Sequence, residues 1–156
     1  MTTELKQEYA RGITQANKTQ LIIILYDITI TYLRDAQEAA KDFDAFSLQL
    51  SYAGRCLEEL ISNLHYAYDP ARELKAIYLS MKKTLREAKL TGDASSLDKV
   101  ISNLETLRDA YHQIADQDSS EPVMMHTQTV VSGLTYGKNS LSEELADGGG
   151  NRGFRV

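Results

Sequence analysis

One segment limits the folds open to this chain more than any other. It is Leu21-Ile22-Ile23-Ile24-Leu25-Tyr26-Asp27-Ile28, followed by Ile30, Tyr32 and Leu33. A bilayer span needs about 20 consecutive apolar residues, and this run is shorter and interrupted. A helix on the surface of a globular protein carries one apolar stripe. Here Leu21, Leu25, Ile28, Tyr32, Ala36 and Ala39 form such a stripe, and Ile22, Ile23, Tyr26, Ile30 and Leu33 widen it past one face. The piece Ile28-Thr29-Ile30-Thr31 suits a strand by composition. The helical spacing nevertheless continues through Leu33, Ala36 and Ala40, so the reading is a helix over 18–41, with Asn17 as its N-cap. A helix this apolar needs a second layer to cover it.

Three further helices can supply that layer. A helix over 45–68 carries Phe46, Leu50, Ala53, Leu57, Leu60 and Leu64 on one stripe, with Ile61 and Tyr68 beside it. Asp69-Pro70 marks a corner, with Asp69 as cap and Pro70 at the first helical position, where a missing N–H costs nothing. The next helix, over 70–90, turns Leu74, Ile77, Met81, Leu85 and Ala88 inward, with Tyr78 alongside. Gly92 is its left-handed stop. Ser95 and Asp98 resemble a capping box for a helix over 95–116, whose inward residues are Leu97, Val100, Leu104, Leu107, Tyr111 and Ile114. Four helices of similar length with short loops predict an all-α, antiparallel up-down four-helix bundle. Before it, residues 1–16 carry Leu5, Tyr9 and Ile13 at a spacing of four, the pattern of a short helix lying on an apolar surface. The predicted organisation is a cover segment over 1–16, the bundle over 17–117, a C-terminal extension over 118–145 that docks in part, and a disordered glycine-rich tail over 146–156.

Most kinds of chemistry find no footing. The net charge of −5 lacks the basic footprint that a phosphate backbone demands, so nucleic acid is not the expected partner. Nor is membrane insertion. The single cysteine, Cys56, cannot form an internal disulfide and suits a reducing compartment; with no leader-like pattern at the start, the expected location is cytoplasmic. His65, His112 and His126 form none of the Glu-x-x-His pairs of a di-metal bundle, and no metal or other cofactor is expected. The one glycine cluster, Gly148 to Gly150, has no strand before it and no lysine after it, unlike a phosphate loop. The carboxylates are scattered as on a solvated face, so the expectation is that the chain is not an enzyme. The alternative from another class is a signalling bundle that accepts phosphate on His65, but Tyr66 and Tyr68 would crowd a docking receiver there. What remains is surface. Tyr26, Tyr52, Tyr66, Tyr68, Tyr78 and Tyr111 lie on or beside the core stripes, and tyrosine suits grooves that accept another chain.

An ordered set of motifs resembles the flagellar export chaperone family FliS. Tyr9 stands where that family has an N-terminal tyrosine segment. Thr14-Gln15-Ala16-Asn17-Lys18-Thr19 is similar to its lead-in, and Leu21 to Asp27 carries its Leu-Tyr-Asp helix motif. Leu57-Glu58-Glu59-Leu60, then Leu74 to Met81 with Leu85-Arg86-Glu87-Ala88, and Leu104 to Tyr111 resemble the later helices. The likeness covers about residues 5–116. It departs at Lys18, where the family has proline, at Pro70, which stands in for a Gly-Gly pair, and at Tyr111, where tryptophan is usual. The resemblance implies a chaperone that binds the disordered C-terminal region of flagellin, prevents early polymerisation and hands it to the flagellar export machinery. A co-chaperone is a further partner it admits. Carried onto this chain, the candidate client-binding residues are Ile22, Ile23, Tyr26, Ile30, Tyr52, Leu60, Leu64, Tyr68, Leu74, Ile77, Tyr78, Met81, Leu104 and Tyr111. Tyr9 and Ile13 would be the cover that flagellin displaces.

Overall fold

The computed structural model describes residues 1–65 and 70–123, and among them all regular structure is helical. The chain divides into two compact units, one comprising Met1 and 19–118, the other 2–18 and the chain from 119. The expectations for Tyr66 and Tyr68, for the Asp69 cap and for residues 124–156 lie outside the described residues.

The smaller unit holds helix α1, Thr3–Gln15. Thr2 caps it, its side chain accepting from the Leu5 N–H at 3.2 Å, and Glu4 in the first turn faces the positive end of the helix dipole. Ile13 is fully buried. The Val123 N–H donates to the Ala16 carbonyl at 3.0 Å, which joins the two chain segments of this unit.

The larger unit holds α2 (Lys18–Glu38), α3 (Phe43–Ser62), α4 (Ala71–Thr91) and α5 (Leu97–Ala115). Side-chain pairs fix how these helices meet. Between α2 and α5, Asp27 pairs with Arg108 at 2.8 Å, Arg34 with Glu105 at 3.1 Å and Gln37 with Asp98 at 2.6 Å. Between α3 and α4, Glu58 pairs with Lys82 at 3.1 Å and Ser51 with Lys89 at 2.6 Å. In both sets one number rises as the other falls, as it does where helices run in opposite directions. The amino terminus of Met1 adds an ion pair to Asp35 on α2. At the other end of α2, Asp118 accepts from both the Thr19 N–H and the Thr19 hydroxyl, at 3.3 and 2.5 Å, which satisfies a donor of the first turn.

The buried positions of α2 are Leu21, Ile22, Ile23, Leu25, Tyr26, Ile28, Thr29, Ile30, Tyr32, Leu33 and Ala36. They sweep roughly 220° of the helix circumference, about twice the stripe an ordinary amphipathic helix buries. Thr29 is tolerated there because its hydroxyl donates to the Leu25 carbonyl at 2.6 Å. Thr31 does the same to Asp27 at 2.8 Å, so the strand-like composition of this piece is absorbed into the helix.

Several expected boundaries move. The first long helix stops at Glu38 rather than 41, and Ala39 to Lys41 form a turn. Helix α3 begins at Phe43 because Asp42 accepts from the Ala45 N–H at 3.2 Å. It ends at Ser62 rather than 68, since the Asn63 amide donates to the Glu59 carbonyl and competes for the last turn. Leu64 is therefore half-buried beyond the helix rather than on its stripe. Pro70 is the cap residue of α4 and not its first helical residue. Gly92 has the left-handed φ of 72° expected of it and donates to Ala88 at 2.8 Å. The capping box does not form. The Ser95 N–H donates to Asp93, whose carboxyl that bond holds below its ordinary pKa, and Asp98 accepts instead from Gln37. Helix α5 consequently starts at Leu97 with no side-chain cap bond from Ser96.

Two inward assignments also change. On α4 the buried stripe is Leu74, Tyr78, Met81, Leu85 and Ala88, an unbroken i, i+4, i+7 series. Ile77 lies about 100° round the helix from Tyr78 and only about 20° beyond the edge of the series at Ala88, on the side facing α5, and it keeps 38% of its surface exposed. On α5 burial fades toward the end: Leu97, Val100, Ile101 and Leu104 are buried, Leu107 and Tyr111 half-buried, and Ile114 is exposed.

Candidate functional site

The Leu25-Tyr26-Asp27 motif sends three side chains to three different jobs. Leu25 is fully buried in the core. Tyr26 points to α4, where its hydroxyl meets that of Tyr78 at 2.5 Å; both rings are essentially buried. Asp27 reaches the edge of α2 and takes the Arg108 guanidinium of α5. The Tyr111 ring completes the cluster, with its centroid 5.7 Å from that of Tyr26, while Tyr26 and Tyr78 are 6.4 Å apart. Burial raises the pKa of all three phenols, that of Tyr78 to about 12. The two buried hydroxyls hydrogen-bond to each other, which removes the penalty each would carry alone.

A second aromatic pair lies between α2 and α3. Tyr32 and Tyr52 have ring centroids 5.1 Å apart, and the Arg55 guanidinium sits 5.0 Å from the Tyr52 ring centre. Cys56 beside them is buried, and burial pushes its thiol up to about 12, so it remains a neutral, unreactive group.

Between α4 and α5 runs an open groove of about 570 Å³. Met81 and Val100 are its buried apolar floor; Ile77 rises from the α4 side, and Ser96, Lys99 and Asn103 line the α5 side. Among the described residues, no carboxylate lines it.

The residues singled out in the sequence fall into distinct groups. Ile22, Ile23, Tyr26, Ile30, Leu60, Leu74, Tyr78, Met81 and Leu104 are buried. Tyr52, Leu64 and Tyr111 are half-buried, as is Tyr9 of α1, and Ile77 is exposed. The structure brings Tyr26, Tyr78 and Tyr111 together in one cluster and Ile77 and Met81 into one groove. His65 is exposed and follows the end of α3. The α5 wall of the groove escaped sequence reasoning, because Ser96, Lys99 and Asn103 read as an ordinary polar face until α4 is set opposite. The exposed Phe43, Leu48, Leu79 and Leu90 also escaped it, and Ile114, expected to face inward, is exposed.

Among the described residues, no group of three or more His, Cys, Asp or Glu side chains could hold a metal ion, and no helix is long and apolar enough to cross a membrane. A comparison with curated proteins finds no match. A comparison with family models matches residues 1–118 to the flagellar protein FliS. That match spans α1 through α5 and contains the Leu-Tyr-Asp motif, the tyrosine cluster and the α4–α5 groove. The chain therefore belongs to the FliS family, the non-enzymatic chaperones of flagellar protein export.

Proposed function

We propose that this protein is a cytosolic chaperone that holds the C-terminal region of flagellin, prevents its premature polymerisation and assists its delivery to the flagellar export apparatus. The observation that carries this reading, within the family match, is the apolar surplus of α2. An arc of about 220° exceeds what one side of an up-and-down bundle over 17–117 uses. In this reading residues 1–16 are the cover of that surplus in the free protein, with Ile13 as the anchor and Tyr9 beside it. The residues from 118 to 145 form an accessory extension.

Flagellin would approach as short helices and extended stretches, each laying apolar side chains into a groove. The α4–α5 groove, with Ile77 exposed on its wall and Met81 in its floor, is the first point of entry. Displacement of the cover would then open Ile22, Ile23 and Ile30, and the Tyr26, Tyr78 and Tyr111 cluster would be the rigid floor beneath the client. Tyr52, Leu60, Leu64, Tyr68, Leu74 and Leu104 extend the candidate surface. The client orders only on binding, and that cost moderates affinity and eases release at the export machinery.

Calorimetry with flagellin from the same source tests the proposal. Full-length flagellin should bind, and flagellin lacking its C-terminal region should not. Failure of the full-length client to bind the folded chaperone would sink it. Deleting residues 1–16 should raise the binding of a hydrophobic dye. An unchanged dye signal together with unchanged flagellin affinity would rule out the cover.

A further inference from the structure

Helix α4 differs in charge from the rest of the molecule. It contains Arg72, Lys75, Lys82, Lys83, Arg86 and Lys89 against only Glu73 and Glu87, a net of +4 in a chain whose formal net charge is −5. The remainder of the chain therefore carries −9. The cations of α4 are not spread evenly. Lys82 and Lys89 turn toward α3, to Glu58 and Ser51. Arg72, Lys75, Lys83 and Arg86 are exposed and fall at helical spacing on the opposite side from the buried stripe, together with Leu79 and Leu90. These six positions occupy roughly 80° of the helix. Leu79 and Leu90 keep 47% and 80% of their surface exposed, and eleven residues place them about 16 Å apart on one line.

We infer that this outward face of α4 is a docking surface for an acidic amphipathic helix of a partner protein. A single exposed leucine is ordinary on a protein surface. Two leucines three turns apart, set in a strip otherwise made only of cations, match the first and last anchors of an i, i+4, i+7, i+11 stripe on a helix lying along α4. Arg72, Lys83 and Arg86 would meet carboxylates flanking those anchors. A bilayer or a nucleic-acid duplex fits less well. Either presents negative charge across the whole breadth of the protein, and the surface beyond this strip would repel it. Glu87 and Glu73 border the strip on its α5 side and Glu58 lies toward α3, so the positive field is only about one helix wide. The face shares none of the residues proposed for flagellin, so the partner is a separate one.

The probe is a synthetic helical peptide with leucines along one face, glutamates on both flanks and no basic residue, labelled with a fluorophore. Its anisotropy is followed with the full chain at about 50 and about 300 mM salt. The peptide should bind at low salt and weaken at high salt. A version with glutamine for every glutamate should bind roughly tenfold more weakly. The Lys83→Glu/Arg86→Glu variant should lose roughly tenfold, and Leu79→Ser/Leu90→Ser several-fold, both with unchanged helix content because all four side chains are exposed. An excess of the flagellin C-terminal segment should leave peptide affinity unchanged. Equal binding of the glutamine peptide, or full affinity in the charge-reversed variant, would overturn the inference. So would tighter binding to phosphatidylserine-containing vesicles or to a single-stranded RNA, and so would competition by flagellin. Only the competition arm uses the client, so the salt, glutamine-peptide and variant arms stand or fall independently of flagellin binding.

Discussion

Helices α2 and α4 have the same length, 21 residues, and touch through one pair of tyrosine hydroxyls, yet they are built on opposite plans. In α2 the apolar residues sweep past half of the circumference, and the fully buried Thr29 is satisfied by its own helix. In α4 a narrow stripe from Ala71 to Ala88 suffices, and most of the rest is cationic or open to solvent. The lesson is that one bundle assigns stability and recognition to different helices. A helix buried over more than half of its circumference cannot present that apolar arc without something moving away from it. A helix anchored by one stripe has its other face free to specialise.

The contrast predicts unequal costs for equal substitutions. Leu25→Ala in α2 removes a fully buried side chain and should lower unfolding free energy by about 2–5 kcal/mol. Leu79→Ala on the outer face of α4 should change it by no more than about 0.5 kcal/mol. Urea denaturation measures both, and similar losses would break the comparison.

The junction between the two helices comes next in size. Tyr78→Phe leaves the buried Tyr26 hydroxyl without its partner and should cost about 1–3 kcal/mol. Tyr26→Phe combined with Tyr78→Phe should cost less than the two single changes added together, because no orphaned hydroxyl remains. Additive losses in that cycle would show that the hydrogen bond is not the coupling.

The same junction sets an alkaline limit. Burial raises the folded-state pKa of Tyr78 from 10.0 to about 12 and that of Tyr26 further in the same direction. Below pH 10 both phenols are neutral in the folded and unfolded chain, so their contribution is fully present. Between pH 10 and 12 the unfolded chain ionises while the folded one resists, and stability falls by about 1.4 kcal/mol per pH unit for each phenol held neutral. Circular dichroism across this window should show base-induced unfolding, shifted to higher pH in the Tyr26→Phe/Tyr78→Phe variant relative to its own stability at pH 8.

The smallest effects lie on the charged seams. Arg108 and Asp27 are partly exposed, with side-chain exposures of 26% and 34%, so Arg108→Ala should cost about 0.2–1 kcal/mol and less at high salt. Lys82→Ala, whose partner Glu58 is 62% exposed, should cost less than that. A larger loss from Lys82→Ala would show that α4 depends on its ion pairs more than on its buried stripe.

Much of this architecture was legible in the residues themselves. Helical spacing located the cores of all five helices, and Gly92 marked the end of α4, because only glycine adopts a left-handed backbone there at little cost. The misplaced ends share one cause. Caps are won by competition among nearby polar side chains, and Asn63, Asp93 and Gln37 decided three of those contests in ways that local pattern could not rank. The candidate site was legible only as a set of residue types. Tyr26, Tyr78 and Tyr111 read alike as tyrosines beside a stripe, and nothing in their spacing says that two share a hydrogen bond while the third caps the pair from outside.

The amino-acid sequence by itself determined the helical class, the apolar surplus of α2, the cationic strip of α4 and the motifs of the FliS family. Each of these follows from side-chain chemistry repeated at the 3.6-residue period, which is a local property of the chain. Only the tertiary structure decided that Asp27 meets Arg108 across 81 residues, that Tyr26 meets Tyr78 across 52, and that Ile77 stands on the wall of a groove while Tyr78 closes the core. Those outcomes depend on which helices become neighbours and in what register, and packing of the whole bundle settles that at once.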